Sequence, residues 1–115
     1  MPPKTTPMPL AEFELLVLLA ALRLGPDEAY TVSIADQIQQ RTGRSVRRAN
    51  VYTTLQRLET KRLLTTRLGE PRPERGGKPR RLVTVRPAGV ASVRAMTDAI
   101  QAMVGALGDV MGTAK

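Results

Sequence analysis

Two short β-compatible segments, at residues 63 to 68 and 81 to 85, constrain the fold of this chain more than any other feature. They are separated by the twelve-residue stretch GEPRPERGGKPR, whose glycines and prolines interrupt regular structure. The two segments therefore predict a single hairpin with a long, basic tip. Because the other periodic segments of the chain have helical spacing, we expect a mainly α fold with a two-stranded β wing.

The first helical run, residues 10 to 24, is rich in Leu, Ala and Val and ends at Gly25 and Pro26, a strong breaker pair. Its apolar side chains surround most of the helix axis, which predicts that the helix is covered on more than one side. The run is shorter than the roughly 18 to 20 residues that span a bilayer, and charged residues interrupt it. A membrane span is therefore not expected.

Two further helices follow before the hairpin. Thr31 or Ser33 is suited to cap the second helix, which is predicted to end at Gly43. The third helix is predicted over about residues 48 to 61, with a buried stripe of Val51, Leu55 and Leu58. Three helices followed by a two-stranded ribbon form a winged helix-turn-helix, in which the third helix enters the major groove of DNA.

Positive charge is concentrated in one segment. Residues 44 to 86 hold thirteen of the eighteen Lys and Arg residues and only three acids, whereas the whole chain carries a formal charge of +8. A localised field of this sign attracts polyanions, and the phosphate backbone of a nucleic acid is the partner that it favours. A solvated basic surface without such a partner is the alternative interpretation.

The polar face of the third helix carries side chains that are suited to read DNA. Arg and Asn make bidentate contacts with base edges in the major groove, while basic residues of the wing contact adjacent backbone or minor groove. The predicted DNA-binding residues are Arg47, Arg48, Asn50, Tyr52, Thr53, Thr54, Arg57, Arg75, Lys78, Arg80 and Arg81. An ordinary solvated helix face is the alternative.

The composition argues against an enzyme. The chain has no Cys and no His, which removes the thiolate and imidazole nucleophiles, the usual zinc ligands and any disulfide. Its ten acids show no spacing typical of paired catalytic carboxylates or of an oxygen-ligand metal site. We therefore expect no catalytic residues, no metal and no cofactor.

The two ends of the chain are predicted to differ from the middle. Residues 1 to 9 contain four prolines and one lysine, which predicts a flexible arm rather than a signal peptide, and hence a cytoplasmic protein. Residues 10 to 86 then form the winged helix-turn-helix domain, and residues 87 to 115 form one long helix that begins at Pro87 and continues to about Met111.

Apolar residues spaced alternately three and four apart along this last helix form a coiled-coil seam, which predicts a homodimer. A helix of roughly 37 Å, at about 1.5 Å per residue, is longer than a small domain easily covers, although packing wholly against its own domain is the alternative. The predicted dimerisation residues are Leu15, Val93, Met96, Thr97, Ile100, Met103, Val104, Leu107 and Met111.

The third helix and the hairpin contain three further motifs: VYTTLQRLE at residues 51 to 59, LL at 63 to 64 and GKPRR at 77 to 81. Through these motifs the chain resembles the PadR family of bacterial transcriptional regulators, and the resemblance extends over roughly residues 10 to 90. It implies a homodimeric repressor that binds a palindromic operator and is often released by a small ligand. The compact form of the family, with a single C-terminal dimerisation helix, fits this length.

Five positions depart from the family pattern. Glycine is usual where Thr31 and Arg62 stand, a capping Ser or Thr where Arg47 stands, an aromatic where Val83 stands, and often Thr where Arg86 stands. The three arginines add positive charge, which is compatible with a tighter grip on DNA and weaker local capping.

These observations predict a sequence-specific regulator that binds double-stranded DNA, with nonspecific or architectural DNA binding, or RNA binding, as the alternative. Only Phe13, Tyr30 and Tyr52 are available to stack on bases, which weakens the RNA alternative, and much of the charge lies in a loop, which weakens a membrane-surface role.

The resemblance also implies that a small hydrophobic effector could bind between the two subunits. Its candidate lining is apolar but lacks a tryptophan on which a planar compound would stack, so a filled, dry interface is favoured over a pocket. The candidate lining residues are Met8, Leu15, Val93, Met96, Ile100 and Met103.

Overall fold

The computed structural model describes residues 7–71 and 79–112 of the chain. These residues form five helices and two strands in the order that the sequence predicts for a winged helix-turn-helix, so the predicted fold class is confirmed. In chain order the elements are α1 (Glu12–Leu24), α2 (Thr31–Thr42), α3 (Arg48–Thr60), β1 (Leu64–Leu68), β2 (Arg81–Val85), α4 (Pro87–Val104) and α5 (Leu107–Gly112).

Helix α1 lies at the centre of the core. Val17 and Leu18 are fully buried, and α1 contacts α2, α3, β2 and α4. The expectation that this helix is covered on more than one side is therefore met largely within its own domain, although Leu22 remains exposed. In the two described ranges of the chain, no helix has both the length and the hydrophobicity that a bilayer span requires.

Helix α2 begins at Thr31, so its N-cap lies one residue before the first predicted cap. Its N-cap is Tyr30, and Ser33 acts from inside the first turn, where its Oγ accepts a hydrogen bond from the Tyr30 N–H at 3.0 Å and donates one to the Glu28 carbonyl at 2.6 Å. The prediction of Thr31 or Ser33 as the N-cap is therefore wrong, because the serine satisfies the helix end from the third helical position. The predicted end is confirmed, since Gly43 adopts the left-handed conformation at φ 76°.

Helix α3 buries Val51, Leu55 and Leu58 as predicted. It ends in a Schellman motif, in which the Arg62 N–H bonds to the Glu59 carbonyl at 2.9 Å and the Leu63 N–H bonds to the Leu58 carbonyl at 3.0 Å. Arg62 therefore occupies the left-handed position of the motif, at φ 63°, which glycine adopts without strain.

The wing is an antiparallel pair in which Leu64 lies opposite Val85 and Leu68 lies opposite Arg81. Strand β2 is also bonded to the loop before α2, because the Val83 N–H donates to the Ala29 carbonyl at 2.8 Å. This bond fixes the base of the wing to the start of the helix-turn-helix.

The last helix is not continuous. Helix α4 stops at Val104, Gly105 leaves the helical region at ψ 131°, and Ala106 has a φ of 63° before α5 begins. The prediction of one helix to about Met111 is wrong for a physical reason. The side chains of residues 98 to 108 are exposed, so within this chain no packing offsets the roughly 1 kcal/mol by which glycine disfavours a helix.

Candidate nucleic-acid interface

The helix-turn-helix consists of α2, the turn at residues 43 to 47, and α3. Because α3 turns its apolar stripe inward, its opposite face is free. Asn50, Thr53 and Arg57, spaced three and four apart, form one exposed row along that face. Arg48 is exposed at the start of the helix, and Arg47 is exposed at its N-cap. The sequence prediction and the fold therefore agree on where these five side chains lie.

A second row on the same side of α3 contains Tyr52 and Gln56. The Gln56 amide donates a hydrogen bond to the Tyr52 hydroxyl at 3.2 Å, and both side chains are exposed. The bond holds the phenol ring against the helix and directs its hydroxyl. Gln56 belongs to the polar face of the third helix that the sequence predicts to be suited to reading base edges.

Thr54 does not lie on this face. Its side chain is only 5% exposed, since its position three after Val51 and four before Leu58 places it within the buried stripe. The interpretation of Thr54 as a DNA-reading residue is therefore corrected, and the threonine belongs to the core that supports α3.

The basic residues around α3 differ in whether their charge is available to a ligand. Arg44 pairs with Glu12 at 2.9 Å, and Arg67 pairs with Asp27 at 2.9 Å. In the described parts of the chain, no ion pair involves Arg47, Arg48 or Arg57. Positive charge outside any ion pair of the described residues is thus present at the beginning of α3, the recognition helix, and along its outer face.

The wing presents its basic residues in different ways. The Arg80 guanidinium lies over the Tyr30 ring at 4.9 Å from the centroid, so it attaches the wing to the start of α2 instead of pointing freely into solvent. Arg81 is exposed and donates to the Thr66 hydroxyl at 3.1 Å, and that hydroxyl donates to Glu59 of α3 at 3.1 Å. The other two wing residues predicted to bind DNA, Arg75 and Lys78, lie outside the described residues.

An ion pair fixes the C-terminal end of α3 to α1. The Lys61 ammonium donates to the Glu14 Oε2 atom at 2.8 Å, while the Glu14 Oε1 atom accepts the Ala11 N–H at 2.9 Å. Burial raises the pKa of the Glu14 carboxyl, but the hydrogen bonds from Lys61 and Ala11 and the charges of Lys61 and Arg57 outweigh that effect and hold the pKa below 4.5, its usual value. The carboxylate is therefore a fixed negative anchor for the recognition helix.

The predicted dimerisation residues fall into three groups. Leu15 and Val93 are buried in the core of their own domain, so they do not present a surface to a second subunit or line a pocket between subunits. Met96 and Thr97 are half-buried. The remaining five are exposed apolar residues on both sides of the break at Gly105, and together we call them the C-terminal seam: Ile100, Met103, Val104, Leu107 and Met111.

Comparison with known proteins agrees with this geometry. Residues 18–95 match the model of the transcriptional regulator PadR-like family, whereas no match was found among the curated proteins. A PadR family transcription regulator from Clostridium difficile R20291 is similar in structure, with 15% identity, a TM-score of 0.69 and coverage of 88% of this chain and 99% of that chain. A PadR family transcriptional regulator from Eggerthella lenta DSM 2243 has 20% identity, a TM-score of 0.64 and coverage of 87% and 86%.

A third similar structure is that of BpsR from Bordetella bronchiseptica, whose DNA binding is regulated by 6-hydroxynicotinic acid. It has 23% identity, a TM-score of 0.62 and coverage of 94% of this chain and 77% of that chain. At these identities the three structures establish the fold, while the family model covers more than half of the chain. With a winged helix-turn-helix that presents a polar, basic recognition helix, the chain belongs to the PadR-like family of DNA-binding transcriptional regulators.

Proposed function

We propose that this regulator is a homodimeric, sequence-specific repressor that binds a palindromic operator in double-stranded DNA. The observation that carries the proposal is the exposed row of Asn50, Thr53 and Arg57 on α3, flanked by Arg47 and Arg48, which form no ion pair with any described residue. Asn and Arg side chains distinguish adenine and guanine in the major groove by bidentate hydrogen bonds. A helix that served only to attract the phosphate backbone of DNA would not need the side-chain amide of Asn50 in this row.

The C-terminal seam supports the homodimer. Beyond residue 97 the last two helices expose a series of large apolar side chains, of which Met103 is the most exposed at 80%. Exposed apolar surface of this extent is typical of a protein-protein interface, and the spacing of Ile100, Met103 and Val104 along α4 favours a second copy of that helix. Because a two-fold dimer presents two identical recognition helices, it favours a palindrome with half-sites about 34 to 36 Å apart.

The repressor assignment rests on the resemblance to the PadR family. The fold shared with BpsR, whose DNA binding is regulated by a small molecule, supports the further expectation that a ligand releases this regulator from its operator. Of the residues expected to line an effector site between subunits, the half-buried Met96 and the exposed Met8, Ile100 and Met103 remain available for a small hydrophobic effector. A filled interface remains the favoured arrangement.

The test begins with selection of the DNA fragments from the source genome that the protein binds. Fluorescence anisotropy at physiological salt then measures its affinity for three duplexes, which are the intact palindrome, a single half-site and a scrambled sequence, and for one RNA. The intact palindrome should bind at least about 10³-fold more tightly than a scrambled duplex or the RNA, and a single half-site should bind much more weakly than the palindrome. Equal affinity for the palindrome and the scrambled duplex would identify an architectural module instead. Transcription in vitro from a promoter that overlaps the selected site should fall when protein is added, and an increase would refute repression.

A further inference from the structure

A cleft of about 330 Å³ separates the recognition helix α3 from the wing. Its floor is apolar, because Leu55 of α3 and Val83 of β2 are buried there. Contacts between the polar side chains of the cleft affect how the wing is oriented relative to the helix. The polar lining residues are Thr31, Tyr52, Gln56, Glu59, Thr66 and Arg81.

Three of these polar side chains are connected by hydrogen bonds across the cleft. The Arg81 Nη1 atom donates to the Thr66 Oγ1 atom at 3.1 Å, and the Thr66 hydroxyl donates to the Glu59 Oε2 atom at 3.1 Å. Each residue belongs to a different element, since Glu59 lies in α3, Thr66 in β1 and Arg81 in β2. The side chains therefore join the recognition helix to both strands of the wing.

The direction of these two hydrogen bonds is fixed by chemistry. A carboxylate can only accept and a guanidinium can only donate, so the Thr66 hydroxyl donates its hydrogen to Glu59 and accepts from Arg81. Hydrogen bonds to ionised groups are stronger than those between neutral groups, and linked bonds polarise one another. Glu59 therefore orients the hydroxyl of Thr66, and that hydroxyl orients the guanidinium of Arg81.

Arg81 keeps its charge available to an outside anion although its side chain is held. The residue is exposed, and among residues 7–71 and 79–112 it forms no ion pair. A guanidinium has several N–H donors, and the Thr66 hydroxyl accepts from only one of its nitrogen atoms. Arg67 on the neighbouring strand differs, because the Asp27 carboxylate pairs with it at 2.9 Å.

The wing is also fixed on the face opposite to Thr66. Successive side chains of a strand point to opposite faces, so Arg67 points away from Thr66 and reaches Asp27 in the loop before α2. The Val83 N–H donates to the Ala29 carbonyl of the same loop at 2.8 Å. Both faces of the ribbon are therefore attached to the helix-turn-helix, and the place of Arg81 relative to α3 is set before any ligand binds.

We propose that Glu59 and Thr66 are positioning residues that hold the Arg81 guanidinium for contact with a phosphate of the DNA bound by α3. A helix in the major groove has a phosphate backbone on each side, and the wing lies on one of those sides. The phosphate contact rests on the proposed function, whereas the holding of Arg81 in the free protein does not.

The expected gain comes from conformational entropy. A long side chain that is already held loses less rotamer freedom on binding, which corresponds to about three- to tenfold in affinity. Simple electrostatics predicts the opposite effect of Glu59, because a carboxylate near a phosphate repels it and its removal would strengthen DNA binding. The two effects of Glu59 can therefore be separated by experiment.

The first test uses the full chain without DNA and follows the Arg81 Nε–H group by ¹⁵N NMR relaxation. This group should be ordered in the wild type and in Thr66→Ser, which keeps the hydroxyl, and more mobile in Thr66→Val, which keeps only the shape. Thr65→Val is the matched control, because Thr65 is an exposed threonine of the same strand outside the cleft. Equal mobility of Arg81 in the wild type and Thr66→Val would overturn the proposal.

The second test measures affinity for operator and random duplexes by fluorescence anisotropy over a range of salt concentrations. Thr66→Val should weaken binding to both duplexes by about three- to tenfold with an unchanged salt slope, because the charge of Arg81 remains. Thr66→Ser should bind like the wild type. In the Arg81→Gln background, Thr66→Val should change the affinity by less than about twofold. An equal loss with and without Arg81 would show that Thr66 does not act through Arg81.

The third test separates the acceptor of Glu59 from its charge. Glu59→Gln and Glu59→Leu both remove the negative charge, but only the glutamine keeps an oxygen that accepts from Thr66. Glu59→Leu should therefore bind random DNA about three- to tenfold more weakly than Glu59→Gln, and equal or tighter binding would overturn the role of Glu59. Urea unfolding verifies that each variant is folded. An unchanged salt slope in Arg81→Gln would overturn the phosphate contact, whereas equal affinity for operator and random DNA would refute only the proposed sequence specificity.

Discussion

Removing the Glu14 carboxylate should destabilise the protein far more than removing an exposed carboxylate on the same helix turn. Glu14 is 3% exposed, its two oxygens accept hydrogen bonds from Ala11 and Lys61, and Lys61 is 32% exposed. Breaking a buried pair by removing one partner is costly because the other charge loses its counterion. Here Lys61 can turn partly toward water, so the cost falls below that of a fully buried pair.

The two substitutions at Glu14 remove different numbers of interactions. A hydrogen bond to a charged group contributes about 1.5–3 kcal/mol, and Glu14→Ala removes two of them. After relaxation of Lys61 we expect a loss of about 2–3 kcal/mol in the free energy of unfolding. Glu14→Gln retains an acceptor for the Ala11 N–H and loses the charge that faces Lys61, so we expect about 1–2 kcal/mol.

The stabilisation that the Glu14 carboxylate provides should fall as the pH falls. The pKa of Glu14 is lowered in the folded protein, so the unfolded chain binds a proton more readily than the folded one as the pH falls below 4.5. The stabilisation by Glu14 should be complete near pH 7 and should be lost as the pH falls through the lowered pKa. Glu14→Gln lacks this ionisation, so its deficit relative to the wild type should shrink in acid.

Urea unfolding followed by circular dichroism, at pH 7 and at several values from 5 to 3, measures these quantities at one fixed protein concentration. Glu12→Gln is the matched control, because its partner Arg44 is exposed and a surface pair contributes about 0–1 kcal/mol. Equal losses in Glu12→Gln and Glu14→Gln, or a deficit for Glu14→Gln that stays constant down to pH 3, would refute the anchoring role of Glu14.

Three further predictions concern the end of α3, the dimer and the wing. Arg62→Gly should raise the free energy of unfolding by about 1 kcal/mol in thermal or urea unfolding, because it relieves the left-handed strain, and a decrease would contradict this account. Ile100→Asp combined with Val104→Asp should convert the proposed dimer to a monomer in sedimentation, since charges would be buried in the seam, whereas a wild-type monomer at micromolar concentration would refute the proposed dimer. Arg81→Gln should reduce the slope of log affinity against log salt by about 0.9 on operator and random DNA alike, and a change confined to the operator would indicate base reading by the wing.

The sequence predicted the core side of α3 well because Val51, Leu55 and Leu58 are stable only when buried. The sequence prediction put Thr54 on the exposed face of α3. Threonine combines a methyl group with a hydroxyl, so it is tolerated on both the buried and the exposed face of a helix. Its position between Val51 and Leu58 on the helix decides its burial, and a polar side chain alone does not show on which side of a helix it lies.

The availability of the basic side chains could not be predicted from their number. The sequence shows the excess of basic residues in residues 44 to 86, but contacts between distant segments decide which of these side chains are available to a ligand. Arg67 meets Asp27 forty residues away, and Arg80 meets Tyr30 fifty residues away. No local pattern predicts such pairs, because the fold alone brings the wing beside the loop before α2.

At the end of α4 the periodicity of apolar residues predicted the shared face of the helix but not the point at which the helix ends. The three-and-four spacing predicted which residues share a face, and Ile100, Met103 and Val104 are exposed together. It did not predict the break at Gly105, because spacing describes the direction of side chains and not the stability of the backbone that carries them.

The central claim, that the outer face of α3 reads the operator sequence, is tested most directly by comparing two double variants in anisotropy titrations. Asn50→Ala with Arg57→Ala removes one amide and one guanidinium from that face, and Arg94→Ala with Gln101→Ala removes the same groups from exposed positions of α4. Each contact that reads a base contributes about 1–3 kcal/mol of discrimination, so the first variant should lose at least about tenfold of its preference for operator over scrambled DNA. The second should keep the wild-type preference. An unchanged preference in the first variant would contradict the assignment of α3 as the reading helix.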